Sequence, residues 1–319
     1  MYKIGLIGLA NISSKHITAI NANRKNLIVT GGYDNDAQKA ISFSQKYGSK
    51  LFTNIDELIQ ENDIVSVLVP HNMHAQLIKK VISKNKICIC EKSLCITEDE
   101  LSDILDVDQN KIFPISQNRY NVAVVGAKEI LNKGKLGKIN LIQANTFWYR
   151  PESYYTNSNW RGRKELEGGI LYNQGIHIID IILYLLDLNS SDCKIKYAYK
   201  TNLEQKIKDT ESYFKVILEA KDIIIDITVT TVFAKENYLN SIIVSGKNDR
   251  LIISGDHLTV LLSQEKRAQE IGGDIYGSSH IQSYKEILKY LKSGKGNPVF
   301  FKDGSDRVSL IEKIYKATK

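Results

Sequence analysis

In the first third of the chain, short apolar runs at 3–7, 27–33, 64–69, 86–90 and 111–116 are separated by amphipathic stretches. Residues 72–83 show the helical spacing, with Ala75, Ile78, Val81 and Ile82 on one face. Strands that alternate with helices bury both of their faces, so this rhythm predicts a parallel sheet with helices on both sides. After Arg119 the pattern changes. A helix over 122–132 leads to a long strand at 138–148, a loop over 150–167 and a strongly apolar helix over 171–186. Strand-like runs follow at 194–200, 211–219, 223–232, 239–245 and 251–254, and joints such as Ala220-Lys221-Asp222 point to antiparallel pairing. Helices over 281–291 and 305–315 close the chain. The expected architecture is α/β: a parallel-sheet domain over 1–119, then an α+β domain over 120–319 with an open, mainly antiparallel sheet and a last helix able to pack back on the first domain.

Composition narrows this reading without redirecting it. The 319 residues suffice for two domains, and 43% hydrophobic with 25% charged residues exclude a disordered or collagen-like chain. The formal charge of +7 raises the question of a polyanionic partner, but the excess is lysine spread along the chain as a solubilising coat, with no nucleic-acid motif. The apolar run over 176–186 is shorter than the ~18 residues of a membrane span and carries His177 and Asp180, so no membrane insertion is expected. The run over 4–10 lacks a cleavage signature and reads as a buried strand, so the protein is expected in the cytosol. Cys88 and Cys90 alternate along a strand, and Cys95 and Cys193 have no paired spacing, so all four are expected as reduced, packed thiols.

The first strand runs into Gly8-Leu9-Ala10-Asn11-Ile12-Ser13 and a helix. A dinucleotide site needs a tight turn here, so that backbone approaches the pyrophosphate at a helix N-terminus. Only the first glycine of the usual G-x-G-x-x-G is present; a plain strand-to-helix turn is the competing reading. Asp34, at the end of the second strand, suits ribose hydroxyls and favours NAD over NADP. Helix capping is its other possible role, and Asp36 competes for either.

Glu91-Lys92 follows a buried strand at the sheet edge where ligands gather, so Lys92 could orient a substrate hydroxyl; a solvated surface pair is the alternative. Gly168-Gly169 opens the apolar helix, on which Asn173, His177 and Asp180 fall on one face at spacings of four and three. A histidine there is either a packed core residue or a proton acceptor whose tautomer a neighbouring amide or carboxylate fixes. His71 and His74, just after Pro70, have no third ligand nearby in sequence, so they read as turn or pocket-wall residues, and no metal is expected. Both tryptophans fall at 148 and 160 beside Tyr149, Tyr154, Tyr155, Arg150, Arg161 and Arg163. Rings offer stacking faces and guanidinium forks suit a diphosphate or carboxylate, against ordinary loop packing.

The ordered set GLIGLANISSKH, Val69-Pro70-His71-Asn72 with His74, Cys90-Glu91-Lys92-Ser93-Leu94, and Gly168-Gly169 leading to His177 and Asp180 resembles the glucose-fructose oxidoreductase and inositol dehydrogenase family. The likeness continues through His280, Tyr284, Pro298, Asp303-Gly304 and Arg307, and so covers essentially the whole chain. It implies an N-terminal Rossmann domain, a nicotinamide cofactor and a C-terminal sheet used for homodimers or homotetramers. The family's signature lysine, in glutamate-lysine-proline, matches Lys92, and its catalytic histidine matches His177. Asn173 stands where many members have aspartate, and Ser93 replaces the proline. Asn173-Gln174-Gly175-Ile176-His177, with the Trp148 to Tyr155 and Trp160-Arg161-Gly162 segments, is similar to the branch that oxidises C3 of UDP-N-acetylglucosaminuronate in lipopolysaccharide or surface-polysaccharide synthesis.

The resemblance then implies NAD bound by Gly8, Ala10, Asn11, Ile12, Asp34, Pro70, His71, His74, Glu91 and Lys92. It implies a nucleotide-sugar substrate held between the domains by Arg150, Tyr154, Trp160, Arg161, Asn173 and His177. His177 would take the C3 hydroxyl proton, Lys92 hold that hydroxyl and Asn173 orient substrate or base. Another sugar or inositol dehydrogenase, a 3-ketosugar reductase and a non-catalytic dinucleotide binder are the alternatives.

Overall fold

The computed structural model describes residues 1–203, 209–232, 239–255, 257–261 and 279–318. They form two compact units, Met1–Gln117 with Ser278–Ser305, and Asn118–Gly277 with Asp306–Lys319. The chain thus returns to its first unit over 278–305, with the helix before the last, where the sequence pattern suggested a cut at 119/120 and a last helix able to pack back.

The first unit is built on a six-stranded parallel sheet of β1 (Tyr2–Ile7), β2 (Leu27–Tyr33), β3 (Lys50–Leu51), β4 (Ile64–Val67), β5 (Ile87–Cys90) and β6 (Ile112–Pro114), in the order β3-β2-β1-β4-β5-β6. Every residue of β4 is buried, as a central strand covered on both faces must be. The returning helix Ser279–Ser293 packs on the helix Ser13–Ala22 and adds Tyr284, Ile287 and Leu288 to the core around Ile4, Leu6, Ile20 and Phe113. Register sets the functional edge. Ile7 pairs with Tyr33 and Val67, Val67 with Cys90, and Cys90 with Pro114, so the carboxyl ends of five strands finish level. Gly8, Asp34, Leu68, Glu91 and Ile115 are therefore the first residues beyond one edge.

The second unit carries β7 (Ile139–Phe147), β8 (Lys194–Thr201), β9 (Tyr213–Ala220), β10 (Ile223–Thr230), β11 (Leu239–Gly246), β12 (Arg250–Ser254) and β13 (His257–Leu261), in the order β13-β12-β11-β7-β10-β9-β8. Only β7 and β10 pair in parallel. One face, with Ile142, Phe214, Val216, Ile225 and Ile227, is buried, and the helices Val122–Asn132 and Ile176–Leu185 pack on this sheet. The alternate residues of β9 are half-buried, and Ile224 of β10 is exposed, the period of two expected of an open sheet.

Two local features differ from the sequence pattern. The loop over 150–167 contains two short helices, Glu152–Thr156 and Lys164–Glu167. The apolar helix opens with a π-turn over Leu171–Gly175 before regular α-helix begins at Ile176. Among the described residues no helix is long and apolar enough to cross a membrane.

Candidate active site

The turn after β1 is shaped by its one glycine. Gly8 has φ +93°, and a Cβ there would lie 2.7 Å from the Leu68 carbonyl oxygen, so any side chain would collide with backbone. Its N–H donates to the Tyr33 carbonyl at 2.9 Å, and the next N–H, of Leu9, donates to Asp34 Oδ2 at 2.7 Å. Asp34 Oδ1 accepts from the Asp36 N–H at 2.9 Å. Asp36 accepts from the Gln38 N–H at 3.0 Å and caps the helix Ala37–Tyr47, so the capping role falls to Asp36 and not to Asp34. Ala10 and Asn11 are exposed and Ile12 half-buried at the start of the helix Ser13–Ala22, which has no side-chain cap and no acid in its first turn. A turn that only glycine permits at residue 8, an uncapped helix start and an acid at the end of the second strand fit a dinucleotide.

Two strands away, the Glu91 N–H continues the sheet by donating to the Val67 carbonyl at 3.0 Å. Glu91 is buried and Lys92 half-buried, and the Lys92–Ser93 peptide bond is cis. The turn is held from both sides. Ser93 Oγ donates to the Cys95 carbonyl at 2.6 Å, and the Ser93 carbonyl meets His74 Nδ1. His74 Nε2 lies 2.8 Å from the Val69 carbonyl, so the ring sits between the segment after Pro70 and the lysine turn and, when neutral, donates to one of the two carbonyls. Burial pushes the His74 imidazole below its ordinary pKa, against the pull of those two carbonyls. His71 is buried with its ring 5.8 Å from that of His74.

Beneath the turn, Glu91 Oε1 lies 3.0 Å from His16 Nε2 and 3.5 Å from His280 Nε2. Burial alone would raise the Glu91 pKa, but the hydrogen bond from His16 and the neighbouring His280 outweigh it and hold the carboxyl well below the usual range.

In the second unit the expected substrate residues converge. The Arg150 guanidinium lies 4.8 Å from the centre of the Trp148 ring and 5.2 Å from that of Tyr154. The Arg161 guanidinium lies 4.1 Å from the Tyr154 centre and 5.4 Å from that of Trp160. The Tyr154 hydroxyl accepts from Asn173 Nδ2 at 3.1 Å and from Gln174 Nε2 at 3.3 Å. The half-buried His177 ring is 6.3 Å from that of Trp148. Arg150, Tyr154, Trp160, Arg161, Asn173 and His177 thus form one chain of contacts, whereas Arg163 is exposed just before the helix Lys164–Glu167.

Asp180 does not belong to that chain of contacts. The π-turn changes the angle between Asn173 and the residues after it, and Asp180 is committed to Arg119 Nη2 at 2.7 Å and Arg307 Nη1 at 2.6 Å, all three buried. The reading of Asn173, His177 and Asp180 as one polar face is corrected accordingly.

Sequence reasoning overlooked Glu167, which is 3% exposed, accepts from the Gly162 N–H at 2.7 Å and receives the Asn173 side-chain amide. Its one signal was an acid placed directly before Gly168-Gly169. His16 and Ser66, the inner partners of the lysine turn, were also not singled out.

Residues 2–112 match the family described as "Oxidoreductase family, NAD-binding Rossmann fold", and residues 124–258 match the "GFO/IDH/MocA C-terminal domain". Glucose-6-phosphate 3-dehydrogenase of Bacillus subtilis (strain 168) is 30% identical over 211 residues, which are 65% of this chain and 60% of that protein. Across the first three curated relatives, the match spans 46% to 60% of their length. Among solved structures, the WlbA dehydrogenase from Bordetella pertussis, in complex with NADH and UDP-GlcNAcA, aligns with a TM-score of 0.87 at 21% identity, over 99% of this chain and 94% of that one. Levoglucosan dehydrogenase, in complex with NADH and levoglucosan, aligns with a TM-score of 0.88 at 17% identity, over 99% and 97%. At these identities the structural likeness establishes the fold.

Proposed function

The chain belongs to the GFO/IDH/MocA oxidoreductase family, with an NAD-binding Rossmann domain as its first unit, and from that premise we propose that it oxidises the C3 hydroxyl of an anionic sugar. The substrate class we assign is a UDP-N-acetylhexosaminuronate, oxidised to the 3-keto sugar for a lipopolysaccharide or another surface polysaccharide. The observation that carries this reading is the pairing of two guanidiniums with three aromatic rings in the same chain of contacts as His177. Guanidinium forks recognise carboxylate or diphosphate, and the rings offer stacking area for sugar or base.

NAD, when bound, supplies the hydride acceptor, and Gly8, the start of the helix Ser13–Ala22 and Asp34 would hold it. His177, half-buried, accepts the proton of the C3 hydroxyl, a role to which an imidazole is suited. Lys92 donates to that oxygen and favours its ionisation. Asn173, fixed by Tyr154 and Glu167, orients the sugar.

A second reading, oxidation at C3 of a phosphorylated monosaccharide, is favoured by the 30% identity to the Bacillus enzyme. Both readings put an anion on Arg150 and Arg161. Purified protein assayed with NAD against UDP-GlcNAcA, UDP-GlcNAc, glucose 6-phosphate and myo-inositol separates them by the rise in NADH absorbance. The highest kcat/KM is expected with UDP-GlcNAcA; turnover of glucose 6-phosphate with neither nucleotide sugar oxidised establishes the second reading instead. Lys92→Ala and His177→Asn are each expected to lower kcat by roughly a hundredfold or more. Near-native turnover in either variant removes the role assigned to that residue.

A further inference from the structure

The hydrogen bonds below Lys92 run in one direction. The Tyr284 hydroxyl lies 2.8 Å from both Ser66 Oγ and His16 Nδ1. His16 Nε2 faces Glu91 Oε1 at 3.0 Å, and Glu91 Oε2 accepts the Lys92 backbone N–H at 3.2 Å. His16, Ser66 and Tyr284 are fully buried, so their polar atoms are satisfied within the fold by one another. Because Glu91 is held ionised, its oxygens can only accept, and His16 must present Nε2–H to it. Burial holds the His16 imidazole below its ordinary pKa and therefore neutral, which leaves Nδ1 as a lone pair. Tyr284, whose phenol burial keeps protonated, must then donate to Nδ1, and Ser66 must donate to the Tyr284 oxygen. Each proton position follows from the one before it. The His280 ring, edge-on to His16 at 5.3 Å between centres, closes the other side of Glu91.

We propose that Ser66, Tyr284 and His16 form a directed hydrogen-bond chain that holds Glu91 in place, and that Glu91, through its contact with the Lys92 N–H, makes them positioning residues for the lysine of the reaction. The proposal rests on the role given to Lys92 above. It explains why a carboxylate is kept in the core at the end of a buried strand: the turn that aims Lys92 is anchored by a charge-assisted acceptor instead of a mobile loop contact. A mispositioned lysine is expensive, since misplacement of a reacting group by about 1 Å costs roughly a hundredfold in rate.

The same His16, Glu91 and His280 atoms lie within 4.8 Å of one another and could instead hold a divalent cation, so the test must separate a proton chain from a metal centre. The full-length protein labelled with ¹⁵N-histidine is examined by NMR together with Tyr284→Phe and Glu91→Gln. In the wild type, His16 is expected as the Nε2–H tautomer and not to titrate through the neutral range. In Tyr284→Phe the Nε2–H tautomer, fixed by Glu91, is expected to remain while the His16 Nδ1 signal shifts for want of its donor, amide hydrogen exchange at Lys92 to rise roughly tenfold, and kcat to fall roughly tenfold or more with KM for NAD within about twofold. Glu91→Gln is expected to give the same exchange signature where Tyr284→Phe folds poorly. A wild-type His16 carrying its proton on Nδ1, or stoichiometric zinc or another divalent metal in the purified protein by elemental analysis, overturns the chain. Unchanged Lys92 exchange in both variants overturns the positioning role. If no sugar is oxidised by the wild type, the proposed function fails, while the spectra and the exchange still decide the chain.

Discussion

One carboxylate, that of Asp34, does two things at the end of β2. Its two oxygens take the Leu9 and Asp36 N–H groups at 2.7 and 2.9 Å, which pins the glycine turn, and each oxygen keeps a lone pair that the proposed cofactor site would offer to a ribose hydroxyl. Asp34→Asn replaces one acceptor by a donor facing an N–H and removes the charge. Charged hydrogen bonds contribute about 1.5–3 kcal/mol, so NADH affinity is expected to fall roughly tenfold or more, with a smaller loss for NADPH because a repulsive charge is removed from its 2′-phosphate. Titration of each dinucleotide by fluorescence checks this. Undiminished NADH binding in the variant would place the ribose away from Asp34.

At the scale of elements, the helix Ile176–Leu185 is tied into the second unit by a buried charge cluster as well as by its apolar faces. Asp180 balances Arg119, which grips it through Nε at 3.0 Å and Nη2 at 2.7 Å, and Arg307. Asp180→Asn leaves two buried guanidiniums facing a neutral amide, and breaking a buried ion pair from one side costs roughly 3–5 kcal/mol. The expected outcome is a large fall in the urea midpoint. A midpoint close to that of the wild type would mean that solvent reaches the cluster and screens it. The same cluster shows what a sequence can and cannot disclose. The glycine turn, the end of β2 and the aromatic and arginine segment were legible, because each is a short run whose local pattern carries its chemistry. The partners of Asp180 lie 61 and 127 positions away, and those of Glu91 lie at 16 and 280, so no window along the chain relates them. The π-turn over Leu171–Gly175 was equally silent, since an extra residue in a turn leaves the apolar periodicity nearly intact and only turns Asn173 relative to the helix that follows.

Over the whole molecule, the two units differ in how acid should loosen them. In the first, His16 and His74 are held below their ordinary pKa of 6.5, chiefly by burial. Their unfolded forms take up protons first as the pH drops, so the first unit loses stability from about pH 6.5 downward. Glu91 in the first unit and Asp180 in the second are both buried carboxylates, held below ordinary values of 4.5 and 3.8 by histidine and arginine partners against the opposing effect of burial. Their stabilisation is complete above the usual carboxylate range and is lost as the pH falls below about 4 toward their depressed folded values. Because both tryptophans, Trp148 and Trp160, lie in the second unit, intrinsic fluorescence reports that unit, while circular dichroism reports both. Urea titrations between neutral pH and pH 3 are therefore expected to show the circular dichroism midpoint sliding first, below about pH 6.5, and the fluorescence midpoint holding until about pH 4. Fluorescence and circular dichroism midpoints that fall together from neutral pH would locate the acid-sensitive histidine contribution in the wrong unit. A flat response down to pH 3 would show that neither carboxylate is held by its charged partners.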